Sequence, residues 1–310
     1  MTHFWKVCLV NVRGNFQCLA FKMQVWTVIF NSFFLLILYV VVLYLGRNKK
    51  SQNISDVDHH GTICCSVVFS ETNANGYFNI CHIGHGPLEN VTIHNSPFTL
   101  TDQINHKIAF LENYFPPSCT FVLIGHSIGA YMILKLLEYF GKDQKRITQG
   151  LLLFPTIERM AISPSGRLAT PVSNYFSWPL VAAAWSLSWL PLSLKKWLIN
   201  IWFIRRNVHE GCKDAIVQLI NADTIRNMLF MAAEEMEKVD KTPIELISDH
   251  VDKLIFYYGA SDPWTPRSYY NEMVSRFPMA QIYLSEQNMR HAFVLESHHE
   301  MAEIAAKWIK

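Results

Sequence analysis

Long apolar runs separated by short polar breaks organise this chain. The longest is the uncharged stretch Val25–Leu45, enough residues to cross a hydrocarbon core of ~30 Å as one helix. It starts too far from Met1 and runs too long for the apolar part of a secretory signal. It ends in Gly46-Arg47-Asn48-Lys49-Lys50 without a small-residue cleavage site, so a retained anchor is expected over residues 1–50. Lys6, Arg13 and Lys22 on one side balance Arg47, Lys49 and Lys50 on the other; the immediate neighbourhood of Lys49-Lys50 favours a cytosolic position for the residues C-terminal to it. Residues 51–62 are polar and read as a linker. Ile63–Phe69 reads as a strand. A β-branched run, Thr120-Phe-Val-Leu-Ile124, breaks off in Gly125-His126-Ser127-Ile128-Gly129 and passes into the helical pattern Ala130–Tyr139. Lys253–Tyr258 and Gln281–Leu284 read as further strands and Glu296–Trp308 as an amphipathic closing helix. From Pro155 to His250 helical patterns interrupt the strand series, as an inserted cap of about 155–250 does.

The break at Gly125 carries chemistry. A serine between two glycines at this spacing suits a strained strand-to-helix turn that projects its hydroxyl from the end of a sheet, and the motif demands the strand before it and the helix after it. Ser127 is therefore the candidate nucleophile, with Gly125, His126 and Gly129 shaping the elbow. A serine hydroxyl attacks only when a base takes its proton, so a histidine and an acid are needed, here in the order Ser, Asp or Glu, His. Asp262 follows the strand Lys253–Tyr258 in the loop Gly259-Ala-Ser-Asp-Pro-Trp264. His291 follows Gln281–Leu284 in the loop before the last helix. Ser127, Asp262 and His291 are thus the expected triad, and the Ile128 N–H, next after the nucleophile, is one expected oxyanion donor.

The segments Ile124-Gly-His-Ser-Ile-Gly129, Leu152-Leu-Phe-Pro-Thr-Ile-Glu-Arg-Met160 with Ser163-Pro-Ser-Gly-Arg167, Phe256-Tyr-Tyr-Gly-Ala-Ser-Asp-Pro-Trp264 and His291-Ala-Phe293 resemble the lipid droplet-associated hydrolase family from about Tyr77 to Lys310. The resemblance implies an α/β-hydrolase fold, with a mostly parallel sheet flanked by helices, and a serine hydrolase of lipid esters located at lipid droplets and the endoplasmic reticulum. It also marks Tyr77–His85 as a strand that ends in a Ser-His-x-Gly-His-like run. The chain departs from the family ahead of Tyr77. There, family members carry a strand ending in a Gly-Asn-Pro-Gly loop that offers a second oxyanion N–H, and no such loop is present. The N-terminal strands are therefore expected to be incomplete. Two rivals stay open beside hydrolysis of a cholesteryl or related acyl ester: a membrane- or droplet-associated protein of the same fold with an impaired site, and another enzyme of the fold such as a thioesterase.

Composition narrows the partners. With Lys+Arg 27 against Asp+Glu 25 the net charge is +2, and no basic block exists to hold nucleic acid. The 7 cysteines are odd in number and scattered, so they read as reduced thiols, with neither a disulfide framework nor a metal set. No metal or organic cofactor is required by triad chemistry. Asn53-Ile-Ser55 and Asn90-Val-Thr92 are glycosylation sequons that matter only in a lumenal topology. Within the expected cap, Trp178, Trp185, Trp189, Trp197 and Trp202 stand beside Lys195, Lys196, Arg205 and Arg206, with Pro179 and Pro191 expected to break the stretch into short helices. This composition fits a segment seated in a lipid monolayer or membrane surface; the alternative is a lid whose tryptophans pack inward. Residues 63–310 are expected to form the enzyme domain. Oligomeric state is not legible.

Overall fold

The computed structural model describes residues 63–70, 77–85, 97–141, 146–206, 208, 210–285, 287 and 289–309. The apolar run Val25–Leu45, the linker and both sequons lie outside them, and among the described residues no helix is long and apolar enough to cross a membrane.

The core is a six-stranded sheet in the order β2-β1-β3-β4-β5-β6. Its strands are β1 (Ile63–Ser70), β2 (Tyr77–His82), β3 (Phe121–His126), β4 (Ile147–Leu153), β5 (Leu254–Tyr258) and β6 (Gln281–Leu284). From β3 to β6 neighbouring strands run parallel. Helices cover both faces of such a sheet, so its strands are apolar on both sides. The period-two alternation still sorts the side chains. Phe121, Leu123, Leu152, Leu254, Phe256 and Tyr258 face one helical layer, while Val122, Leu151 and Ile255 face Ala305 and Trp308.

Expected and observed sheets differ at β1. It lies between β2 and β3 and is antiparallel to both. The central position is therefore occupied, not lost, but by a strand of reversed direction. Ser70 pairs with Phe121 at the start of β3, and Ser66 with Gly125 near its end.

Helix α1 (Leu100–Tyr114) opens with a capping box. Thr99 Oγ1 accepts from the Asp102 N–H at 3.1 Å and Asp102 Oδ2 accepts from the Thr99 N–H at 2.8 Å. Helix α2 (Ile128–Phe140) leaves the end of β3 and buries Ile133, Leu134 and Leu137 against the sheet. Between β4 and β5 comes a helical insertion: a 3₁₀ turn Met160–Ile162, then α3 (Gly166–Tyr175), α4 (Ser177–Ser188), α5 (Leu192–Trp202), α6 (Glu210–Gln218), α7 (Ala222–Lys238) and α8 (Ile244–Asp249). It has a core of its own in which Ala184, Ile199, Phe203, Cys212, Ile216, Met228 and Leu229 pack together. Helix α7 ties it to the sheet: Asn227 Oδ1 accepts from the Phe98 N–H and its Nδ2 donates to the Gly84 carbonyl, each at 3.3 Å.

Pro179 does not break a helix as expected. It falls in the first turn of α4, where backbone N–H groups have no partner within the helix, so its missing N–H costs nothing. Pro191 does separate helices, as the N-cap of α5. Beyond β5 come α9 (Arg267–Arg276), β6, α10 (Phe293–Glu296) and α11 (His298–Ala306). The single closing helix expected over Glu296–Trp308 is thus two, divided at Ser297 and beginning three residues earlier. Cys119 and Cys212 are buried free thiols.

Candidate active site

Three parallel strands deliver the expected residues to one end of the sheet. Ser127 follows β3, Asp262 follows β5 and His291 follows β6, so each lies beyond the carboxyl end of its strand. Ser127 occupies the single residue between β3 and α2 with φ 55° and ψ −121°, a conformation that costs an L-residue free energy and persists where surrounding bonds impose it. Those bonds are present. The Ser127 N–H donates to the Leu153 carbonyl at 2.9 Å, and its own carbonyl accepts from Ala130 at 3.0 Å. The turn is too tight for a side chain at Gly125, where a Cβ would stand 2.5 Å from the Gly129 carbonyl.

Ser127 Oγ is 2.8 Å from His291 Nε2, and His291 Nδ1 is 2.6 Å from Asp262 Oδ2. The carboxylate also accepts from the Trp264 N–H and the Thr265 hydroxyl, each at 2.8 Å. Burial alone would push the Asp262 carboxyl up. The charge and hydrogen bond of His291 outweigh it, with help from Trp264 and Thr265, and hold the group below the ordinary carboxylate value. An ionised Asp262 accepts from Nδ1–H, which leaves Nε2 as the acceptor of the Ser127 proton. The three side chains form one buried, directed chain of hydrogen bonds.

His126, identified from the sequence as part of the elbow, also contacts the histidine loop. Its Nε2–H donates to the His291 carbonyl at 2.8 Å, and its ring lies 4.7 Å from that of Phe293. Burial, reinforced by the neighbouring His291, lowers its pKa to about 3, so the ring is neutral. Thr156 carried no role in the sequence reading, yet its Oγ1 lies 3.3 Å from Ser127 Oγ. Its sequence signals are its place just after the apolar run of β4 and within the segment Leu152–Met160 that resembles the family.

As the first residue of α2, Ile128 carries one of the amides that have no partner within the helix, the position expected of an oxyanion donor. The second donor in this fold comes from a loop that leaves the strand beside β3 at the nucleophile's end. Here that strand is β1, which leaves the sheet at the opposite end, beside Phe121.

His82 ends β2 and His85 stands in the turn after it, both buried, with ring centroids 5.3 Å apart. His82 Nδ1 faces the buried ammonium of Lys107 at 3.2 Å, and among the described residues no cluster of His, Cys, Asp and Glu suits a metal ion. On α4, α5 and the links beside them the tryptophans turn outward. Trp178 and Trp189 are each 74% exposed, Trp185 and Trp197 are also exposed, and Trp202 is the least so at 37%.

A family model described as Lipid-droplet associated hydrolase matches residues 66–294. A lipid droplet-associated hydrolase from Gallus gallus is 39% identical over 69% of this chain, which spans 65% of that relative's length. One from Drosophila melanogaster is 34% identical over 74% of the chain and 78% of its own. Among solved structures, a candidate lipase from Acinetobacter baumannii superposes with a TM-score of 0.50 at 15% identity, covering 76% of this chain and 75% of that one.

Proposed function

Because the chain belongs to the lipid-droplet associated hydrolase family and has the α/β-hydrolase fold, we propose that it hydrolyses lipid esters through Ser127, His291 and Asp262. The observation that carries this reading is the unbroken hydrogen-bond chain from Ser127 Oγ through both nitrogens of His291 to Asp262. In the proposed reaction His291 Nε2 takes the Ser127 proton and Oγ attacks the ester carbonyl. Asp262 holds the imidazole in its tautomer and stabilises the imidazolium. The Ile128 N–H meets the developing oxyanion. His291 then gives the proton to the leaving alcohol, and water repeats the sequence to release the acid. A cholesteryl or related acyl ester is the proposed substrate class, and no cofactor enters this scheme.

The outward tryptophans support docking on a lipid droplet monolayer or the endoplasmic reticulum surface. Aromatic rings seat at the level of lipid headgroups, and Lys196, Arg205 and Ile204 stand exposed beside them.

One observation favours a second reading, an impaired hydrolase. β1 runs opposite to β3 and ends beside Phe121, whereas this fold draws its second oxyanion donor from beyond the neighbouring strand at the nucleophile's end; loss of one such donor costs about 10²–10³ in turnover. Labelling with a fluorophosphonate, followed by turnover of an ester and thioester panel, separates the readings. The parent chain should label and Ser127→Ala should not. Labelling that survives Ser127→Ala places the nucleophile elsewhere. Labelling without measurable ester turnover selects the impaired protein, and faster thioester than ester turnover selects a thioesterase.

A further inference from the structure

One polar neighbour of the nucleophile has no part in that scheme. Thr156 is buried on the turn after β4, and its side chain and backbone both address Ser127. Its N–H donates to the Ser127 carbonyl at 3.4 Å, and its Oγ1 lies 3.3 Å from Ser127 Oγ. The turn is held in an unusual shape. Phe154 has φ 48° and its N–H donates to the Tyr257 carbonyl at 2.7 Å, so β5 fixes the bend that presents Thr156.

Distance alone lets either hydroxyl donate, but the neighbouring bonds decide the direction. Asp262 accepts from His291 Nδ1–H, so Nε2 holds a lone pair and accepts from Ser127 at 2.8 Å. Ser127 has a single hydroxyl proton, and that bond uses it. In the bond between the two hydroxyls, Thr156 must then be the donor and Ser127 Oγ the acceptor.

We propose that Thr156 is a further catalytic residue, whose hydroxyl donates to Ser127 Oγ and supports the negative charge that gathers there as the proton leaves. The proposal rests on Ser127 being the nucleophile. In acylation the Oγ–H bond breaks and its proton bonds to His291 Nε2. The electron pair left on Oγ forms the bond to the carbonyl carbon, and the carbonyl π pair moves onto the carbonyl oxygen. In deacylation water bonds to the acyl carbon as His291 Nε2 takes its proton; the adduct then collapses, the C–Oγ bond breaks, and Oγ departs with the pair and receives that proton from His291. Thr156 keeps its own proton throughout and stabilises Oγ in both directions, so it acts on kcat as well as kcat/KM.

Two substitutions in the full chain separate this role from simple packing. Thr156→Val keeps the shape and removes the donor, whereas Thr156→Ser keeps the donor and removes a methyl group. The readouts are steady-state hydrolysis of p-nitrophenyl butyrate, the second-order rate of fluorophosphonate labelling, and a thermal melt. Thr156→Val should lower kcat/KM and the labelling rate by about three- to tenfold, with Thr156→Ser within about twofold of the parent. The reverse order, with Val like the parent and Ser slowed, overturns the proposal in favour of packing, and so do equal rates in all three proteins. Should Thr156→Val melt early, Thr156→Ala takes its place beside Thr156→Ser: an Ala variant slowed about threefold or more with Ser near the parent supports the donor role, and Ala at the parent's rate or Ser slowed as much as Ala overturns it. Persistent labelling of Ser127→Ala removes the nucleophile reading itself and this proposal with it, whereas the order of the Val and Ser variants bears on Thr156 only.

Discussion

The neutral imidazole of His126 sits behind the chemistry, its Nε2–H on the His291 carbonyl at 2.8 Å and its ring against Phe293. His126→Phe keeps an aromatic ring in this space and removes the donor, leaving a buried carbonyl unsatisfied at a cost of about 1–3 kcal/mol. The penalty falls on the loop that aims His291. We expect kcat on a soluble ester to drop about tenfold with KM little changed, because a base displaced from its aim raises the barrier without touching ground-state binding. An unchanged kcat would show that Phe293 and the rest of the loop hold His291 unaided. Ser127, Asp262 and His291 were legible in the sequence because each follows an apolar run in the order this chemistry uses. The contacts of His126 and Thr156 were not. They join residues 165 and 29 positions apart, brought together by the sheet, and no local pattern encodes such a meeting.

At the scale of elements, the amphipathic rule separates α4 from the rest. Only Ala184 of this largely apolar helix is buried, while Trp178 and Trp185 project outward and Trp185 packs edge-on against Trp189 at 5.8 Å. Composition alone left open whether these tryptophans fill a core. The structure answers with Ala184, Ile199 and Phe203 inside, and a soluble protein rarely leaves so large an apolar patch without a partner. Replacing Trp178, Trp185 and Trp189 together by serine should therefore weaken binding to phospholipid-coated oil droplets in a flotation assay by about tenfold or more, since each interfacial indole adds favourable transfer energy. Turnover of a soluble ester should stay at the parent's level, because none of the three touches the triad. Equal flotation of parent and variant would assign droplet binding to other parts of the chain. Helix boundaries are hard to read from the sequence for a related reason. Pro179 looks like a breaker in any linear reading, and only its place in a first turn makes it harmless.

Over the whole molecule, buried titratable groups set how stability responds to pH. Burial lowers the pKa of His82 well below its ordinary value, those of His85 and His126 to about 3 and that of His106 to about 4; Lys107 adds to the effect for His82, His85 and His106, and His291 for His126. Unfolding returns all of them to near 6.5, so below that pH the unfolded chain binds more protons and stability falls as pH falls. Each contributes up to about 1.4 kcal/mol per pH unit in its window. Glu235 acts in the opposite sense. Burial raises its pKa from 4.5 to about 8, so the folded chain keeps a proton that the unfolded chain releases, and stability falls as pH rises between those values. Denaturant melts should show greatest stability at about pH 7, a steep loss toward about pH 4 and a shallow loss toward about pH 8 that Glu235→Gln flattens. A stability that holds constant between about pH 4 and 6.5 would mean that these histidines ionise within the fold. The sheet as a whole was legible in outline, with one exception. Residues 63–69 read as a strand, but a two-residue period is the same in either direction, so nothing in them announces that β1 runs against its neighbours. That reversal has a practical side. Ser70 and Tyr77 stand at the end of the sheet farthest from Ser127, so a reporter attached at either position sits clear of the catalytic end. The Ile63 end of β1 lies instead on the side of the elbow, where Ser66 pairs with Gly125, and the two ends of this strand are not interchangeable for anyone engineering this chain.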